Sequence, residues 1–155
     1  MERGFWRKYE DVGKLVLAAV KLGSRGGRLC CRTRMRVALF LLAWEFEELA
    51  HLRGEFYMWL ADVDVAVKVL VEKGFLEERL EVPGAVDGVR LPRRIIYTYR
   101  LTKAGRVLAD DAVKEISPKV RRRMKELLKL DVWALVGYAY VKYPEQFATK
   151  EFALA

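Results

Sequence analysis

Arginine is the residue type through which this sequence could act on another molecule. Arg25, Arg28, Arg32, Arg34 and Arg36 fall within residues 25–36, a stretch without a single acid that also holds Gly26 and Gly27. Guanidinium groups pair bidentately with phosphate oxygens, and backbone amides near a glycine pair can approach an anion closely. The competing expectation for this set is a solvated basic loop, with Arg34 or Arg36 paired to the acidic stretch 45–48. A second set, Arg90, Arg93 and Arg94, flanks Leu91 and Pro92 in a loop between two strand-like segments. There arginine suits the negative potential of a narrow minor groove, although charged hairpin loops also serve only to block edge pairing.

Other chemistry finds few residues to carry it. Cys30 and Cys31 are adjacent, His51 is the only histidine, and two thiols with one distant imidazole make a poor zinc set. Two buried, reduced thiols are expected, with an intersubunit disulfide left open. The chain has no phosphate-binding glycine loop ending in Lys-Ser or Lys-Thr, no Gly-x-Ser-x-Gly elbow and no histidine pair. Tyr138, Tyr140 and Tyr143 read as core or interface residues. The expectation is a binding protein and not an enzyme, with no catalytic residues, no metal and no cofactor.

Composition narrows the partner. The chain of 155 residues is 53% hydrophobic and 12% aromatic, within the range of folded domains, and its formal net charge is +8. That charge is uneven. Residues 1–36 carry ten Lys and Arg against three acids, residues 37–72 two against seven, and residues 73–109 eight against four. Such asymmetry suits a polyanion on one side and an acidic surface on the other. The longest apolar run, residues 37–44, is far short of the roughly 20 residues that cross a bilayer, and the N-terminus lacks the order of a secretory signal. A cytoplasmic protein without a membrane span is expected. The absence of Asn, with one Gln, two Ser and 32% charged residues, is the bias of proteins that must survive heat.

These residues need elements to position them. Residues 9–22 place Val12, Leu15, Val16, Ala19 and Val20 at helical spacing, and residues 33–50 are apolar on nearly every face, which predicts a central buried helix. Residues 54–59 read as a strand or an irregular turn. Asp62 is expected to cap the next helix, in which Val63, Ala66, Val67, Leu70 and Val71 recur until Gly74. Strands follow over 75–82 and 94–101. Thr102 caps a helix over 103–115, Ser117 with Pro118 opens another, and Asp131 caps a last one that Pro144 closes.

The segment VLVEKGFLEERL, followed after a loop by IIYTYRLTKAGRVLAD, resembles the second half of MarR-like and PadR-like winged helices, with Tyr99, Leu101, Thr102, Gly105 and Arg106 carrying the match. Over most of the chain CRTRMRVALFLL, RGEFYMW and KYPEQFATK are similar, in order, to archaeal proteins akin to the Panacea antitoxin-like winged-helix group. The turn keeps Gly54 and Tyr57 of that pattern, and Arg36-Val37 replaces its Gln-Lys pair. The resemblance implies a mainly α fold with a small β-hairpin wing, a winged helix-turn-helix with an N-terminal helix and two extra C-terminal helices. Within one domain, residues 9–32 would form the N-terminal helix and basic loop, 33–115 the winged-helix core and 117–155 the helical extension.

The helix-strand-wing-strand element, together with the uneven basic charge, predicts a double-stranded DNA partner and a regulator of transcription. Lys68 is the only base-facing cation expected on the helix that follows Asp62, between Asp64 and Glu72 and beside Val65 and Val69; acids there repel phosphate. That face keeps a protein-interaction module, antitoxin-like or an assembly subunit, as the alternative. The stripe Val120, Met124, Leu127 and Leu128, with Val132, Trp133, Val136 and Tyr140 on the last helix, predicts a homodimer through the C-terminal helices. Arg121, Arg122 and Arg123 read as the solvated side of that stripe.

Overall fold

In the computed structural model the backbone is described for residues 2–81 and 96–147, and side chains from residue 9 onward within those limits. The first helix, α1 (Glu2–Gly23), begins ahead of the expected residue 9 and buries Val12, Leu15, Val16, Ala19 and Val20, the stripe that the spacing predicts. A two-residue strand, β1 (Leu29–Cys30), follows the glycine turn. It is too short to give an alternating pattern and was not expected.

The central helix α2 (Arg32–Glu45) buries eight residues on all sides of its axis, as its unbroken apolar run requires. It stops at Glu45 and not near residue 50. Arg53 explains the stop: its guanidinium donates to the carbonyls of Ala43 at 2.7 Å and Trp44 at 3.2 Å, satisfying acceptors that a continuing helix would have used. Residues Glu47–Leu52 then form a 3-10 turn, whose threefold repeat puts Leu49 and Leu52 together in the core.

The next helix, α3 (Phe56–Glu72), corrects two expectations: residues 56–59 are helical, and Asp62 lies inside the helix instead of capping it. Phe56 and Trp59 are buried in register with Val63, Ala66, Val67 and Leu70, and the Trp59 indole donates to the Arg36 carbonyl at 3.0 Å. Core packing therefore extends the helix by almost two turns beyond the point where Asp62 offered a local start. Gly74, at φ +78°, closes it.

Strands β2 (Leu76–Glu81) and β3 (Ile96–Leu101) pair antiparallel, Leu76 opposite Leu101 and Glu81 opposite Ile96, and β1 joins the far side of β3. The sheet has three strands in the order β1-β3-β2, one more than the expected hairpin.

Three caps stand where the sequence places them. The Thr102 hydroxyl accepts from the Gly105 amide at 3.0 Å to open α4 (Lys103–Glu115), and Ser117 accepts from Val120 at 3.3 Å to open α5 (Pro118–Lys129). Asp131 accepts from Trp133 at 3.1 Å to open α6 (Val132–Lys142). Pro144 does not merely close α6; it starts a short α7 (Pro144–Phe147). That turn gives the KYPEQF motif a structural role. Phe147 is fully buried, its ring 4.4 Å from Phe56 and 5.7 Å from Phe40, and Tyr143 packs against Phe40 and Trp44. The chain thus closes its own core between α2 and α3.

Among the described residues the protein is mainly helical with a small antiparallel sheet, an α+β fold. No helix among them is long and apolar enough to cross a membrane.

Candidate nucleic-acid interface

The five arginines of residues 25–36 do not form one cluster. Arg25 and Arg28 bracket a two-residue turn in which Gly26 and Gly27 both have positive φ, and their backbones bond reciprocally at 2.8 and 3.2 Å. Arg25 is exposed there. Arg32 turns to the inner face of the sheet, where it donates to the Tyr99 hydroxyl and to Glu78, each at 2.8 Å, and lies 3.9 Å over the Tyr97 ring. Burial opposes its charge, yet the bonds to Tyr99 and Glu78 more than offset this and raise its pKa.

Arg34 donates to the carbonyls of Leu130, at 3.2 Å, and Cys30, tying α2 to the end of α5. Arg36 holds Asp64 on α3 through contacts of 2.6 to 3.0 Å. Neither reaches the acidic stretch 45–48, which corrects the expected pairing. Glu45 instead binds Arg123 at 2.8 and 3.0 Å, Glu47 binds Arg53, and Glu48 accepts from Ser117. Arg123 is therefore no solvated residue: the Glu45 bonds raise its pKa and fasten α5 to α2.

What gathers positive charge is the outer face of the sheet. Cross-strand register puts Glu77 opposite Arg100 and Arg79 opposite Thr98. Arg28 reaches over the same face, to Thr98 at 3.4 Å and Glu77 at 3.6 Å, while Arg79 stands 3.7 Å from Glu77 and Arg100 is hydrogen-bonded to it. Three guanidiniums thus share one carboxylate. The Arg100 hydrogen bond above all holds Glu77 below the usual carboxylate range. The Arg79 and Arg100 side chains keep 54% and 46% of their surface exposed, so neither is spent in the core.

Arg100 also borders a pocket of about 280 Å3 lined by Arg106, Gly27, Ser24 and a Lys21–Asp110 ion pair. Counting Glu81 at the far end of β2, this surface carries Lys21, Arg25, Arg28, Arg79, Arg100 and Arg106 against three acids.

Sequence reasoning missed Arg79 and Arg100. Their alternation along each strand was readable, but which residue faces which depends on the register. Arg90, Arg93 and Arg94 lie outside the described residues, in the connection between β2 and β3.

Lys68 is exposed on α3, as expected, with Tyr57, Met58, Val65 and Val69 also exposed and Asp64 taken by Arg36. No arginine, asparagine or glutamine stands on that helix to read a base edge.

On α6, Trp133 and Tyr140 are exposed with Val141, at 68%, 41% and 83%. Val132 is half-buried, and Val136 packs against the core beside Leu135 and Ala139. Of the four residues expected at a contact, Trp133 and Tyr140 are thus exposed and Val132 and Val136 are not, and the exposed stripe is Trp133, Gly137, Tyr140 and Val141. Cys30 and Cys31 are free thiols, half-buried and not buried as expected, because β1 lies at the sheet's edge; the burial that Cys30 does have pushes its thiol up. His51 bonds Asp11 at 2.8 Å, and among the described residues no group of His, Cys, Asp and Glu could hold a metal.

The chain matches no family model, no curated protein and no solved structure.

Proposed function

We propose that this protein is a winged helix that binds double-stranded DNA chiefly through the sugar-phosphate backbone, in the manner of a transcription regulator. The observation that carries the reading is the outer sheet face, where Arg28, just ahead of β1, joins Arg79 of β2 and Arg100 of β3 around Glu77, giving three guanidiniums to the two carboxylates of Glu77 and Glu81 on strands that residues 82–95, with Arg90, Arg93 and Arg94, connect. The order α1, β1, α2, α3, β2, β3, with the sheet order β1-β3-β2, supports the winged-helix assignment.

Phosphate contacts position a protein, whereas base contacts specify its site. With valines and a lone Lys68 on the outward side of α3, binding should be tolerant of sequence and steep in salt. A homodimer through the exposed α6 stripe would set two such surfaces on one duplex, and Val141 and Trp133 support that assembly.

The test is fluorescence anisotropy with a labelled duplex of mixed sequence over a salt series. Arg79→Ala with Arg100→Ala should flatten the slope of log K against log salt by about 0.9 for each lost phosphate contact. Absence of binding at low salt, or an unchanged slope, removes the reading. A protein-interaction module is the second reading, favoured by the apolar outward residues of α3; co-purification of a partner that masks Tyr57 and Met58, with no DNA binding, would establish it.

A further inference from the structure

Helices α3 and α4 do not close against each other. Between them runs a cavity of about 750 Å3, floored by Gly13 and Leu17 of α1 and walled by Val65 and Val69 of α3 and Leu108 and Ala112 of α4. Pockets that enclose small organic ligands fall in this size range, roughly 300–1,000 Å3, with mostly apolar walls and few polar groups. The cavity also accounts for Val65 and Val69, exposed on a helix where Val63 and Val67 are buried and Val71 is half-buried.

Its floor holds a glycine that packing does not require. Gly13 lies in the interior of α1, where glycine costs about 1 kcal/mol relative to alanine, and nothing stands within 4 Å of where its Cβ would be. The absent side chain leaves the floor bare.

The two ends differ in charge. At one, Lys73 stands beside Phe75, whose carbonyl meets the first turn of α4. At the other, toward the C-terminal half of α4, Glu10, Asp111 and Glu115 surround one lysine. Lys14 is already engaged by Glu115 at 3.0 Å and Glu10 at 4.0 Å, and among the described residues Asp111 has no ion pair. Among the described residues, the acidic end keeps an excess of negative charge beside an apolar trough.

We propose that this groove binds an amphipathic organic cation, its apolar body along Leu17, Val65, Val69 and Leu108 and its cationic end among Glu10, Asp111 and Glu115. A primary or quaternary amine on a hydrocarbon chain or ring has the required chemistry. The body displaces water from the valine and leucine surfaces, and the cation takes the Asp111 carboxylate, which Lys14 does not engage. The inference does not depend on DNA binding.

Calorimetric titration of the full-length protein with decylammonium, decanol and decanoate tests it. Decylammonium should bind tightest, with decanol weaker by about fivefold, the size of one exposed charge pair, and decanoate weaker still. Gly13→Leu should abolish decylammonium binding while the melting temperature stays at or above that of the unaltered protein, because the new side chain fills open space and favours the helix. Val69→Lys places a cation on the exposed wall and should also abolish binding. Asp111→Asn should shrink the preference for decylammonium over decanol. Decanoate binding as tightly as decylammonium overturns the charge assignment. Full binding by a folded Gly13→Leu protein, or no binding of any probe, overturns the site, and in the latter case an apolar helix of a partner protein becomes the occupant to test.

Discussion

Alanine in place of glycine should have opposite effects at two positions of this protein, and the difference measures how closely α4 is seated. At Gly105 a Cβ would lie 1.8 Å from the Phe75 carbonyl oxygen and 2.8 Å from its carbon. Backbone cannot yield as a side-chain tip can, so Gly105→Ala must lift the first turn of α4 away from the end of α3. Lifting it strains or breaks the Thr102 amide bond to Phe75, 3.2 Å long, and the Thr102 hydroxyl bond to the Gly74 carbonyl, 2.6 Å long. Overpacking of this kind costs roughly 1–3 kcal/mol, and each hydrogen bond lost adds about 1 kcal/mol. The better helix propensity of alanine returns about 1 kcal/mol. The net loss should be roughly 2–4 kcal/mol. At Gly13 no neighbour is within 4 Å, so the same change should stabilise by about 0.5–1 kcal/mol. Urea unfolding followed by far-ultraviolet circular dichroism, with equal m-values, reads both. If Gly105→Ala falls within 1 kcal/mol of the unaltered protein while Gly13→Ala stabilises as expected, the close approach of α4 to Phe75 is not there.

Three further outcomes follow from the same contacts. Glu77→Gln removes the one carboxylate shared by Arg28, Arg79 and Arg100, so duplex DNA should bind severalfold more tightly with a steeper salt slope; weaker binding by a folded variant would show that Glu77 holds the arginines in their useful positions. Burial raises the Tyr99 pKa above its usual 10, so the folded state prefers the neutral phenol, and this contribution, complete below pH 10, is lost as pH rises through that value toward the higher folded one. Tyr99→Phe should cost about 1–2 kcal/mol at neutral pH by stripping a partner from Arg32, and its urea midpoint should fall less steeply than that of the unaltered protein between neutral and strongly alkaline pH; parallel curves would refute the burial argument. Val141→Glu, at a site 83% exposed, should leave the unfolding midpoint of the monomer unchanged and abolish any dimer seen by light scattering, whereas a persisting dimer would place the contact elsewhere than on α6.

Local chemistry written into a few residues decided several elements before any packing is considered. Thr102, Ser117 and Asp131 cap their helices because a short oxygen-bearing side chain can reach an amide two or three residues ahead whatever else surrounds it. The buried stripe of α1 and the all-round burial of α2 follow from hydrophobic spacing alone, and the strands 76–81 and 96–101 from their β-branched, aromatic and alternating residues. Other features depend on contacts far apart in sequence. Asp62 has the chemistry of a cap, yet Phe56 and Trp59 carry α3 past it, because two aromatics buried against α2 outweigh one local hydrogen bond. The two-residue β1 exists only because β3 offers it an edge. The basic residues were readable as a composition but not as a surface. Arg32, Arg34 and Arg36 are consumed by Tyr99, Glu78, Asp64 and backbone carbonyls, whereas Arg79 and Arg100, unremarkable along the chain, are brought beside Arg28 by strand register. A charge says which partners are possible; only the pairing of distant segments settles which charges remain available to meet them.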